Sequence, residues 1–105
     1  MDVCTWGPPL WTSLHIMTVN APPIISSEQK KQYYKFFSSL GHLLPCKYCR
    51  DSYLVFWNYV PITLYYNDNF GIIYWLFIIH CLVNKKLSKP NPSLIDFLKK
   101  YVPCA

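Results

Sequence analysis

The sequence predicts a small all-α protein, a four-helix bundle with a short fifth helix, and three observations carry that expectation. Apolar residues return at helical spacing in four long stretches, and each stretch is bounded by a capping residue or a proline. The one strand-like run, Ile62-Thr63-Leu64-Tyr65-Tyr66, has no second strand to pair with. A length of 105 residues fits one domain, spanning 1–105, long enough to bury a core without many cross-links.

Trp6-Gly7-Pro8-Pro9 reads as a turn with proline at the start of the first helix, after which Leu10, Trp11, Leu14, His15 and Thr18 fall at helical spacing. Asn20-Ala21-Pro22-Pro23 ends it. Ser26, with Gln29 three residues later, makes a capping box for a second helix from about Ser27 to Leu43, whose apolar face uses Tyr33, Phe36, Phe37, Leu40 and Leu44. The third helix starts at Cys46 and Cys49 and runs to about Tyr59, with Tyr53, Phe56 and Trp57 inward, until Pro61 stops it. The strand-like run after Pro61 is expected to be a loop.

Asn67-Asp68-Asn69 offers several N-caps for a fourth helix, from about Phe70 to Leu87, so apolar around its first half that it belongs at the centre of the bundle. Its second half carries His80 and Asn84 four residues apart, on one face with Phe77 and Leu87. Asn91-Pro92 caps a short fifth helix ending near Tyr101, before the tail Val102-Pro103-Cys104-Ala105.

Composition narrows the function. The chain is 52% hydrophobic and 18% aromatic with 14% charged residues, more apolar than a small solvated domain needs, so some of its surface meets a ligand or a partner. The net charge of +5 comes from basic residues spread along the chain rather than gathered in one run, which argues against a nucleic-acid groove and suits the phosphates of an anionic cofactor. No segment has the form of a secretory signal, and the longest apolar run, from Phe70 to Val83, contains His80 and is too short to span a membrane. Five cysteines (Cys4, Cys46, Cys49, Cys81, Cys104) are an odd number, which argues for redox chemistry or an inter-chain thiol over a structural disulfide framework.

Leu44-Pro45-Cys46-Lys47-Tyr48-Cys49-Arg50 is the stretch with the most chemistry. If it opens a helix, Pro45 sits in the first turn and the two sulfurs project three residues apart on one face, a spacing that can close a disulfide. The positive helix end favours a thiolate, most of all at Cys46, and Lys47 and Arg50 add positive field. The motif alone suits a redox pair and a zinc pair equally. Zinc needs further ligands, and His80 with Cys81 would project about 100° apart on one helix, a poor chelate; His15 and His42 stand at no familiar finger spacing. A thioredoxin-like protein would place its pair after a strand, whereas this pair follows a helix.

Three separate motifs then agree with one family. Trp6-Gly7-Pro8 with Trp11 and Leu14-His15, the Cys46-Lys47-Tyr48-Cys49 stretch, and Trp75 with His80, Val83, Asn84, Lys86-Leu87 and Lys89-Pro90 resemble, in order and spacing, the Erv/ALR family of FAD-linked sulfhydryl oxidases. The resemblance runs from Trp6 to Pro90, and the length resembles that of the minimal virus-encoded members. It implies FAD held at one end of the bundle, by Gly7, Trp11 and His15 from the first helix and by His80, Val83, Asn84, Lys86, Leu87 and Lys89 from the fourth helix and its exit, with Tyr101 covering it. Aromatic and imidazole rings suit adenine and ribose, Asn84 supplies both donor and acceptor, and lysines suit a pyrophosphate. Any one of these residues on its own would be read as core or helix surface; their joint spacing points to a ligand.

The resemblance further implies that a substrate dithiol attacks the Cys46–Cys49 disulfide at Cys46, that Cys49 faces the flavin, and that electrons pass to O2 to give H2O2. It implies a small dithiol protein or thioredoxin-like relay as partner, a homodimer, and action in the host cytoplasm if the chain is virus-encoded. Two departures stand out: Cys81 occupies the place of the family's usual asparagine, and Phe77 and Leu94 occupy the positions of the helix-to-tail disulfide of longer relatives. Cys104, with Cys4, is the remaining candidate for a shuttle sulfur.

Overall fold

The core is built where two helix pairs meet. The structure, a computed structural model, describes residues 2–101; the tail with Cys104 lies outside them. Five α-helices occur in order, α1 (Val3–Val19), α2 (Ser27–Leu43), α3 (Lys47–Tyr59), α4 (Asn69–Lys86) and α5 (Leu94–Tyr101), with a 3-10 turn at Ile62–Leu64 between α3 and α4. α1 packs along α4, α2 along α3, α3 also meets α4, and α5 lies on α1. Phe37, Ile62, Ile72, Trp75, Leu76 and Ile79 are sealed at the centre. Two polar groups brought into this core keep their hydrogen bonds: Trp75 Nε1 donates to Val60 O at 2.8 Å and Tyr53 Oη to Phe37 O at 2.6 Å.

Local signals placed most boundaries. The Ser26 capping box is complete, with Gln29 N–H on Ser26 Oγ at 3.2 Å and Gln29 Oε1 accepting from Ser26 N at 3.1 Å. α3 ends before Pro61, because Val60, its C-cap, is pushed out of helical geometry by the following ring. Of the three candidates, Asp68 is the α4 cap, its Oδ1 accepting from Gly71 N at 2.6 Å. A Cβ at Gly71 would run into the backbone oxygen of Tyr65, so this entrance is too tight for any larger residue.

Several expectations are corrected. Trp6-Gly7-Pro8-Pro9 is not a turn: α1 begins at Val3, capped by Asp2, and runs through both prolines. Each proline in a helix interior costs about 3 kcal/mol, and the same helix packs Leu10 and Trp11 against the core. Pro45 precedes the cap rather than lying in the first turn of α3, since Cys46 itself is the N-cap. Ser93, not Asn91-Pro92, caps α5, its Oγ accepting from Asp96 N at 3.2 Å. The expected loop after Pro61 folds a 3-10 turn that seats Ile62 in the core. Phe36 turns outward beside the buried Phe37, and Phe70 and Tyr74 leave the first half of α4 partly exposed.

The exit of α4 sets the position of Lys89. Ser88 takes φ 57° and closes the helix with paired bonds, Lys89 N to Asn84 O at 2.8 Å and Ser88 N to Lys85 O at 3.2 Å. That left-handed residue folds the chain back, so Lys89 returns to the end of the bundle where His80 and Asn84 sit.

Candidate functional site

The sulfurs are set by the start of α3. Cys46 is its N-cap, with Sγ accepting from Cys49 N at 3.3 Å, so the same geometry that ends the loop holds the two cysteines one turn apart. Arg50 Nη1 reaches back to Leu44 O at 2.6 Å and fixes the entry strand of the loop. Lys47 does not add the expected field: it pairs with Asp51 at 2.9 Å out in solvent.

The two thiols differ electrostatically. Cys46 is held below the usual thiol range, first by the Cys49 side chain, then by the backbone N–H groups of Cys49 and Tyr48 and by the Arg50 charge. Cys49 is pushed up to about 11, first by burial and then by the hydrogen bond and charge of Cys46. In the reduced protein, iodoacetamide at neutral pH is therefore expected to label Cys46 before Cys49, with labelling of Cys49 still rising toward pH 11. Site-resolved mass spectrometry reads both rates, and equal labelling at pH 7 would contradict the asymmetry.

Beside Cys49 lies a cavity of about 310 Å³, between the start of α1, the start of α3 and the end of α4, with α5 at its edge. Of the residues expected at a ligand, Gly7, Trp11, Cys49, His80, Val83, Asn84, Lys86, Leu87, Lys89 and Tyr101 all line it. The lining adds residues that the motifs did not single out as contacts, among them Trp6, Tyr48 and Lys100. Tyr48 is the residue enclosed by the two cysteines, and its ring lies 5.4 Å from Lys86 Nζ; its place inside the motif was the available signal.

Three expected residues lie elsewhere. Cys46, the N-cap of α3, is not part of the cavity lining. Cys4 is exposed in the first turn of α1. His15 is sealed behind His80, with no exposed surface, and so corrects its expected place in the lining. Its Nε2 lies 2.8 Å from His80 Nδ1, and the His80 ring in turn stacks on Trp11 at 3.9 Å between centroids with the planes 2° apart. Phe97 and Tyr101 of α5 close over His15 at 4.5 and 5.0 Å.

Burial holds both imidazoles neutral: His15 is lowered to about 3 by desolvation and then by His80 and Lys100, and His80 to about 4 by desolvation and then by Lys100 and Lys89. Cys81 is half-buried in a second cavity, of about 270 Å³, between α4 and α5, where burial raises its thiol. Among the described residues, no three His, Cys, Asp or Glu side chains are grouped so as to hold a metal ion. No helix there is long and apolar enough to cross a membrane.

A helical bundle that sets an asymmetric dithiol beside a cavity lined by tryptophan, histidine, tyrosine and lysine side chains defines a dithiol protein with a ligand-sized cavity. The Erv1 / Alr family model matches residues 8–103, and the chain belongs to that family. It is 33% identical over 101 residues to a probable FAD-linked sulfhydryl oxidase of Acanthamoeba polyphaga mimivirus, covering 90% of this chain and 69% of that one. It is 30% identical over 96 residues to an FAD-linked sulfhydryl oxidase of African swine fever virus, covering 91% and 79%. The fold matches the yeast Erv1 core with a TM-score of 0.90 at 24% identity, over 97% of this chain and 85% of that one. The FAD binding domain of Erv1 from Saccharomyces cerevisiae matches with a TM-score of 0.82 at 27% identity, over 96% and 94%.

Proposed function

We propose that this chain is an FAD-dependent thiol oxidase, with Cys46 meeting a substrate dithiol and Cys49 facing the cofactor. The observation that carries the reading is the position of the pair across the cavity wall, Cys49 in the lining and Cys46 outside it. The residues present fit the cofactor. Trp6 Nε1 is buried at the cavity with no partner among the described residues, and a Cβ at Gly7 would meet nothing within 4 Å. Trp6, Trp11 and Tyr48 offer ring faces and edges, while Lys86, Lys89 and Lys100 carry charge for a pyrophosphate. When bound, FAD supplies a two-electron acceptor that dioxygen reoxidises with release of hydrogen peroxide.

The protein's part is thiol–disulfide exchange. A substrate thiolate attacks Cys46 Sγ of the Cys46–Cys49 disulfide; that S–S bond breaks, a mixed disulfide forms, and Cys49 leaves as thiolate. The second substrate thiolate then attacks the substrate sulfur of the mixed disulfide, giving the substrate disulfide and releasing Cys46. Two electrons have moved from the substrate pair to the protein pair. The hydrogen bonds and charge that lower Cys46 suit this second departure, because a lower leaving-group pKa speeds exchange. In the mixed disulfide Cys46 carries no charge, which removes one of the causes that raise Cys49.

The substrate in this reading is a protein dithiol. Leu43 and Tyr48, both more than half exposed beside the pair, offer it apolar ground. Homodimer formation and action in a host cytoplasm belong to the same proposal, as does a shuttle role for Cys104. A thioredoxin-like alternative fails on the fold, since the pair follows a helix. The test is the visible spectrum of the purified chain supplied with FAD: flavin bands, and peroxide on adding dithiothreitol, are expected. A colourless protein that cannot be reconstituted would end the reading.

A further inference from the structure

His15 is the one fully buried histidine, and it lines neither cavity. Its Nε2 lies 2.8 Å from Nδ1 of His80, and its other nitrogen, Nδ1, is buried with no partner among the described residues. A hydrogen bond between two neutral imidazoles needs one N–H and one lone pair, so only two arrangements exist. If His80 donates, His15 must carry its proton on Nδ1, a buried N–H with no acceptor. If His15 donates, its Nδ1 is a bare lone pair, and both rings hold their proton on Nε2, the tautomer that neutral histidine favours intrinsically. Orphaned buried donors are the rarer and costlier fault, which selects the second arrangement.

The consequence falls on His80. Which nitrogen of a histidine bears the proton is set by the bond that the other nitrogen makes. His80 Nε2 has no partner among the described residues and is not counted with the buried unpartnered atoms, so it is accessible, on a ring that lines both cavities. The ring lies flat on Trp11 at 3.9 Å, which holds its plane, and the contact of Nδ1 with His15 Nε2 fixes which edge faces inward. Lys100 from α5 opposes a second proton on both rings and Lys89 from the exit of α4 opposes one on His80, while Asp96 of α5 lines the second cavity with His80.

We propose that His15 is a positioning residue: by donating from Nε2 to Nδ1 of His80 it fixes His80 as a neutral Nε2–H donor, aimed at an acceptor atom of the bound cofactor. The tautomer stands on the geometry of the chain alone, whereas its use toward the cofactor rests on the proposed flavin function. His15 touches no ligand in this scheme and acts only through His80.

Long-range 1H–15N correlation spectra of the full chain, labelled at histidine, read the tautomers directly with no flavin present. His80 is expected to be protonated at Nε2 and bare at Nδ1 at pH 7. His15→Phe should release it into a mixture of tautomers, and His15→Gln, whose amide can donate to the same nitrogen, should restore the single form. With FAD added, His15→Phe is expected to weaken binding about tenfold and His15→Gln to recover most of it. A wild-type His80 protonated at Nδ1, or a His80 tautomer unchanged in His15→Phe, would overturn the proposal. The wild-type spectrum decides the tautomer even if a variant fails to fold. A chain that binds no flavin would end the reading of the cofactor and the proposed use of the donor, and would leave the tautomer result standing by itself.

Discussion

Cys49→Ser is expected to reduce thiol-dependent oxygen consumption by about a thousandfold or more, while the protein stays folded and keeps its flavin colour. Serine replaces the sulfur nearly isosterically in the cavity lining, so the cavity keeps its shape. What is lost is the disulfide. Cys46 remains, outside the cavity lining and still beside the backbone N–H groups and the Arg50 charge that favour its thiolate, but without a second sulfur it cannot return to a protein disulfide. Incubation with an aromatic disulfide such as dithiodipyridine, whose released half is a separate molecule and a poor nucleophile, should therefore leave a covalent adduct at Cys46, visible as a mass shift that reductant removes. Retained turnover in the variant would refute the role given to Cys49, and absence of the adduct would refute the role given to Cys46.

The second large effect is on stability in mild acid. His15 and His80 are neutral in the folded protein down to about pH 3 and about pH 4, whereas in the unfolded chain they titrate near 6.5. Between those values the unfolded state binds more protons, so stability is fully present above pH 6.5 and is lost as pH falls toward 3 to 4. Each histidine contributes about 1.4 kcal/mol per pH unit in that window; with a discount for the partial exposure of His80, the pair costs the fold about 3 kcal/mol between pH 7 and pH 5. Urea unfolding at the two pH values measures this as a fall in the midpoint at unchanged slope. An unchanged midpoint would mean that the imidazoles are solvated, against their burial behind Trp11, Phe97 and Tyr101.

Much of the fold was legible because its signals are local. A capping box acts over three residues, a proline acts on the residue before it, and an N-cap acts on the next turn; α2 and α3 accordingly lie where Ser26, Gln29 and Pro61 put them. The α1 start was misread for the same reason. A Gly-Pro-Pro run is a breaker by local rules, whereas α1 runs through it and packs Leu10, Trp11 and Leu14 on the core, a tertiary contact that local rules do not see.

The candidate site divides along the same line. The sequence by itself determined which residues gather: the dithiol at a helix start, and ring, amide and lysine positions whose spacing resembles one family, ten of which line a single cavity. Only the tertiary structure decided which of them face each other. That His15 lies behind His80 rather than in the lining, that His80 lies flat on Trp11, and that Cys49 rather than Cys46 meets the cavity all depend on how α1, α3 and α4 pack. His15 and His80 are 65 residues apart, and nothing in the short-range rules of helix spacing says which of two histidines on facing helices is nearer the open end. That choice is made by close packing, where each ring takes the only space its neighbours leave.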